Sequence, residues 1–113
     1  MEGMYFRKDE FPLVPGGAGK PSRRLIAHGG GLLLAEMEFE SGSVSPVHSH
    51  PEEQLTWCLS GSFETEAGGV KERLGPGDSF YAGANVPHGA RCLVKGVLLH
   101  SFTPQREEYK MGV

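Results

Sequence analysis

The sequence has no long apolar run, little cysteine and no excess of basic residues, and each shortage removes a class of function. Lys and Arg number 11 against 14 Asp and Glu, for a net charge of −3. Nothing in that balance supplies the basic surface that neutralises phosphates, so nucleic acid is not an expected partner. The longest apolar runs, Leu32–Ala35 and Val97–Leu99, are far too short to span a bilayer, so no membrane partner is expected either. The N-terminus, Met1-Glu2-Gly3-Met4-Tyr5-Phe6-Arg7-Lys8, lacks the basic start and apolar stretch of a secretory signal. The expected address is therefore the cytoplasm. Its two cysteines, Cys58 and Cys92, form no CxxC and are expected to stay free as small buried hydrophobes. Long helices are excluded by punctuation: 17 Gly and 8 Pro in 113 residues leave few uninterrupted stretches of good helix formers.

What remains is a chain of short strands and turns, of a length suited to one domain. Residues 1–23 mix charges with Pro12, Pro15, Gly16, Gly17, Gly19 and Pro21, which predicts an irregular N-terminal arm. The domain proper is expected over 24–113. Arg24–His28 and Leu32–Glu40 read as strands, the second with Leu33, Ala35, Met37 and Phe39 on one face and Glu36, Glu38 and Glu40 on the other. Gln54–Leu59 is expected to close at Ser60-Gly61, with Phe63–Ala67 and Lys71–Leu74 forming a hairpin. Ser79–Ala82, Ala90–Val94 and Val97–Phe102 complete the set, the last two joined by a turn at Lys95-Gly96. Eight or nine short strands without a credible helix predict an all-β antiparallel barrel or jelly roll.

The chemistry concentrates after residue 47, where four of the five histidines lie. In extended chain His48 and His50 point the same way. Two adjacent imidazoles make a poor apolar core and a good pair of metal ligands. Pro51 breaks the strand, so the chain can turn and offer Gln54. His88 follows a second turn at Asn85-Val86-Pro87. Three imidazoles and one amide oxygen, with no thiolate, suit one divalent first-row transition metal: Zn, Ni, Mn, Fe or Co. His28 has no such partner and reads as structural or surface. No Ser lies in a nucleophile-elbow sequence, and no carboxylates form a glycosidase pair.

The spacing carries a resemblance. Five residues separate Gly42 from His48, one separates His48 from His50, three separate His50 from Gln54, and six separate Gln54 from Gly61. This resembles the first motif of the cupin superfamily, with Gln54 in place of the usual Glu. The second motif is looser: Gly77 and His88 are correctly separated, but Gly83, Asn85 and Cys92 replace the usual Pro, Gly and Asn. The resemblance covers roughly residues 24–109 and implies an RmlC-like jelly roll. Three segments are similar to the KdgF-type pectin-degradation cupins: His48-Ser49-His50-Pro51-Glu52-Glu53-Gln54, Asn85-Val86-Pro87-His88-Gly89 and Phe102-Thr103-Pro104-Gln105-Arg106-Glu107-Glu108.

That similarity implies a Gln metal ligand and an enzyme that opens the ring of 4,5-unsaturated uronates, so the implied partner is a small sugar acid. It also implies that Phe102 and Arg106 occupy active-site positions. His100 stands where the family typically has Asp. As an imidazole it is expected to shuttle a proton, to become an extra ligand, or to mark another substrate. Arg106 offers a planar fork suited to a carboxylate, or pairs with Glu107 or Glu108. Phe102 either floors a sugar ring or packs in the core. Two other functions remain open: a metal-dependent cupin dioxygenase, isomerase or lyase, and a non-catalytic sugar-binding or sensing module. Leu55, Trp57 and Leu59 face away from the expected site, and an apolar row on a small barrel is usually covered, here by an expected second copy of the chain.

Overall fold

The structure is a computed structural model and describes residues 2–110. Its elements run β1 (Ser22–Gly29), β2 (Leu32–Phe39), β3 (Val44–His48), β4 (Glu53–Ala67), β5 (Val70–Leu74), β6 (Ser79–Ala82), β7 (His88–Thr103) and a short α1 (Glu107–Lys110). All pairings are antiparallel. The order β1-β2-β7-β4-β5 forms the main path, with β3 added beside β7 and β6 beside β4. The all-β jelly roll expected from the strand pattern is present. No helix among the described residues is long and apolar enough to cross a membrane.

The strand count departs from expectation at two places, for one reason. Ser60-Gly61 and Lys95-Gly96 are not hairpin turns. They are bends inside two long strands, β4 and β7, which pair with each other from Glu53–Thr103 to Ala67–His88. Register shifts between Cys58 and Phe63 absorb the bends, as bulges do where a sheet must curl. The two glycines meet at the crossing. A Cβ on Gly96 would lie 2.1 Å from the Ser60 carbonyl oxygen, and one on Gly61 would lie 2.5 Å from that of Val94. Buried Cys58 and Cys92, both free, donate their thiol hydrogens there, to Ser60 O at 3.3 Å and Val94 O at 3.1 Å. Burial pushes both thiols up in pKa.

Alternation along β2 and β4 sets the interior. Leu33, Ala35 and Phe39 are buried, as are Gln54, Thr56 and Cys58, while Leu55, Trp57 and Leu59 face out. The core is split into two clusters. One holds Phe39, Cys58, Phe63, Leu74, Ala90, Cys92 and Leu98, with Phe39 and Phe63 edge to face. The other holds Leu25, Leu33, Ala35, Phe102 and Tyr109. Met37 packs against both, and a polar stripe lies in the same interior. The N-terminal arm is tied to the barrel by the Val14–Arg23 bridge and by Gly19 O, which accepts from Val44 N at 2.9 Å. His28 lies against Phe6 and Phe11 of that arm, away from the other histidines.

The crossing glycines give a direct test. Gly96→Ala is expected to cost at least about 3 kcal/mol in urea unfolding, because its methyl would strike backbone. Gly69→Ala, with φ +81° and open space around it, is expected to cost only about 1 kcal/mol. Equal costs would show that close approach at the crossing does not hold the bend.

Candidate metal centre

Three separate stretches of sheet deliver the site. His48 ends β3 and His88 begins β7, and the two are direct cross-strand partners with ring centroids 4.6 Å apart. Gly89 makes this approach possible, since a Cβ there would lie 2.9 Å from Val47 N. His50 lies just past β3, in the connection that Pro51 turns. Its carbonyl accepts from Asn85 N at 2.8 Å, which ties the two histidine-bearing loops together. Asn85 sits in the left-handed region at φ 60°, a conformation its short polar side chain tolerates.

Donor atoms of His48, His50 and His88 all lie within 4.8 Å of one another. Each ring spends its Nδ1 on a backbone carbonyl: His48 on Pro46 O at 2.7 Å, His50 on Glu52 O at 3.0 Å and His88 on Val86 O at 2.9 Å. A carbonyl only accepts, so each Nδ1 carries the hydrogen and each neutral ring keeps its lone pair on Nε2. Burial lowers the pKa of His50 and of His88 and so favours those neutral rings. His88 Nε2 is buried with no partner. Gln54 Oε1 stands 3.1 Å from His50 Nε2, so two acceptors face each other. Unpartnered lone pairs that converge in this way fit a divalent cation.

Behind Gln54 the polar stripe continues. Gln54 Nε2 lies 2.8 Å from Thr56 Oγ1 and 3.0 Å from His100 Nδ1, and Thr56 Oγ1 lies 2.8 Å from the same Nδ1. His100 is paired in the sheet with Ala35 on one side and Thr56 on the other. It is not part of the three-histidine cluster. Desolvation pushes its pKa down to about 3, helped by the nearby charges of His88 and Arg106, so it is neutral at physiological pH. Its Nε2 is buried without a partner. The ring borders a hollow of about 20 Å³, shared with His48, Gln54, His88, Phe102 and Arg106, which is room for one water-sized group.

Phe102 and Arg106 come to the same mouth. Phe102 is only 1% exposed. Its ring meets His50 edge-on at 5.7 Å, stacks on His100 at 5.9 Å and touches Tyr109 at 5.2 Å. It is a packed support and not an open floor. The Arg106 guanidinium lies 5.3 Å from the Phe102 ring centre and 5.0 Å from that of Tyr109. It bonds Glu108 and sits 3.8 Å from Glu52 Oε1. Arg106 thus pairs with Glu108 and borders the same hollow as His48 and His88.

Two neighbours escaped the sequence reading. Glu52 Oε1 is also 3.3 Å from His50 Nδ1, but its side chain gave no signal beyond its place in the motif. Tyr109 is buried on α1, in a stretch too short to show a helical period. Glu53, one position from Gln54, turns outward as its spacing predicts and accepts from Tyr81 Oη at 2.6 Å.

Two outcomes follow from this geometry. His88→Ala is expected to abolish stoichiometric zinc binding in calorimetry, whereas His28→Ala leaves it intact. Stability should fall with acid, because the unfolded chain takes up protons near the ordinary histidine pKa of 6.5 and buried His100 does not until about 3. His100→Asn should make the loss of stability between these pH values shallower than in the wild type, as read by urea unfolding.

Comparison with known proteins agrees with this geometry. The family model described as the cupin domain matches residues 35–99. An RmlC-like cupin from Shewanella frigidimarina is 28% identical with a TM-score of 0.87, over 96% of each chain. KdgF from a Halomonas species is 31% identical with a TM-score of 0.86, over 95% of this chain and 98% of that one. No curated protein matches the chain. Matched over more than half its length, and similar to solved cupins from end to end, the chain belongs to the cupin family.

Proposed function

We propose that this cupin is a metal-dependent enzyme, working in the cytoplasm, that promotes ring opening and ketonization of 4,5-unsaturated uronates from pectin or alginate breakdown. The observation that carries the reading is the position of Arg106. Its guanidinium lies over two adjoining aromatic rings beside the histidine cluster and is already engaged by carboxylates. A uronate carboxylate can take the place of Glu108 on the same planar fork. The 31% identity to Halomonas KdgF along nearly the whole chain supports the same substrate class.

His48, His50 and His88 would hold the metal, with Gln54 Oε1 as fourth ligand. When bound, a divalent cation polarises a substrate oxygen. The chain's own groups do the rest. Arg106 binds and orients the carboxylate. Phe102 is a positioning residue, holding Arg106 and His50 in one frame. Opening the hemiacetal breaks the bond from the anomeric carbon to the ring oxygen: the anomeric hydroxyl loses its proton and becomes an aldehyde, and the ring oxygen takes a proton and becomes an enol. The enol becomes a ketone when carbon is protonated and the enol hydroxyl gives up its proton. Buried His100 takes the place of the family's Asp beside that oxygen, as a neutral imidazole and not as an imidazolium acid. Tyr109 and Arg106 narrow the mouth, which limits water around the reacting oxygens.

We also propose that two copies pair through the outer face of β4. Leu55, Trp57 and Leu59 are 58%, 43% and 48% exposed there, beside Tyr81 at 56%. A row of this kind is usually covered, and a second copy covers it with a self-complementary surface. Trp57→Glu is expected to shift the mass in light scattering from dimer to monomer. A wild-type monomer would remove the proposal.

The activity test is a loss of double-bond absorbance from an unsaturated uronate. Zinc-restored protein is expected to accelerate it over the spontaneous rate, and chelated protein is not. Arg106→Ala should raise KM about tenfold or more, the loss expected for one charged hydrogen-bonding partner, while keeping zinc. No acceleration by zinc-, nickel- or manganese-loaded protein would exclude this substrate class.

A further inference from the structure

The buried triangle of Gln54, Thr56 and His100 holds information beyond ligand positions. Its three sides are 2.8, 3.0 and 2.8 Å long, and Thr56 has no exposed surface. Each side needs one hydrogen, and buried polar groups left without one are costly. Two arrangements compete. In the first, Gln54 turns its oxygen toward the three histidines. Its amide hydrogens then face Thr56 Oγ1 and His100 Nδ1, and the single lone pair of Nδ1 is shared between the amide and the Thr56 hydroxyl. All three sides are filled, and His100 carries its own hydrogen on Nε2. In the second, the amide is turned over, and Gln54 offers the triangle only an acceptor. Thr56 and His100 then supply two hydrogens for three sides, and His100 must hold its hydrogen on Nδ1.

The histidines choose between these. Each keeps a lone pair on Nε2, because each Nδ1 donates to a carbonyl. A cation at that point is held by Gln54 oxygen and repelled by its amide hydrogens. We propose that occupancy of the histidine cluster fixes the tautomer of His100 through the Gln54 amide, which Thr56 positions, so that the metal-loaded protein presents His100 Nε2–H as a neutral hydrogen-bond donor to the hollow. The unpartnered, buried Nε2 is the second observation pointing to a ligand there. The group it meets must be an acceptor: a carbonyl, ether or enol-type oxygen. The coupling rests on Gln54 as a ligand and is independent of which sugar binds.

Two readouts decide it, and neither uses a sugar, so a failed uronate assay leaves the proposal standing. The first is long-range proton–nitrogen NMR of zinc-loaded protein. His100 should show a bare Nδ1 and a protonated Nε2, and a protonated Nδ1 would overturn the proposal. The second is zinc affinity. Thr56→Val keeps the shape and removes the hydroxyl, and should weaken zinc about 10–100-fold, as loss of an outer-shell partner does. Thr56→Ser should restore the affinity to within a few-fold. Val and wild-type proteins of equal zinc affinity would also overturn it. The wild-type spectrum and the Ser variant decide the matter even if the Val variant does not fold.

Discussion

A small barrel that carries imidazoles in its interior must supply a hydrogen-bond partner for every buried ring nitrogen, and much of this fold answers that requirement. Three rings place Nδ1 on backbone carbonyls at Pro46, Glu52 and Val86. Those carbonyls are free to accept because Pro46 sits at the register shift inside β3 and Glu52 and Val86 lie in loops. The sheet breaks at the site, after His48 and before His88. The remaining Nε2 atoms find no protein partner or only another acceptor. A cation would complete the arrangement, so the candidate metal site and the local interruption of the sheet are one feature.

The polar stripe also divides the core. Phe39, Phe63 and Leu98 pack on one side of it, and Leu25, Leu33 and Phe102 on the other. Phe102 belongs both to that packing and to the site, because its ring supports His50, His100 and Arg106 together. A residue of this kind has no exclusive role: burial gives it rigidity, and rigidity lets it position charged neighbours. At position 100 an imidazole sets one ring nitrogen toward Thr56 and the other on the far side. The carboxylate typical of similar cupins offers acceptors on both sides when ionised.

The strand alternation of β2 and β4 was legible because period two is a local property of extended chain. Gln54, Thr56 and Cys58 turn in while Leu55, Trp57 and Leu59 turn out, as their order requires. Ser60-Gly61 and Lys95-Gly96 misled for the opposite reason. Locally each is a good turn, and only their contact with each other makes them bends within β4 and β7. Glu52 and Tyr109 were illegible as site residues, since neither carries a spacing that separates it from an ordinary surface Glu or tail Tyr.

The sequence by itself determined the all-β class, the inward faces of β2 and β4 and the grouping of three histidines as candidate metal ligands, because alternation and motif spacing are short-range facts. Only the tertiary structure decided that β4 and β7 run unbroken past their glycines, that Phe102 is a covered support, that Arg106 lies over two adjoining aromatic rings, and that His100 meets Gln54 and Thr56. Those facts join residues as far apart as His50 and Phe102. They depend on strand register and on which buried nitrogen lacks a partner, and no local pattern encodes either.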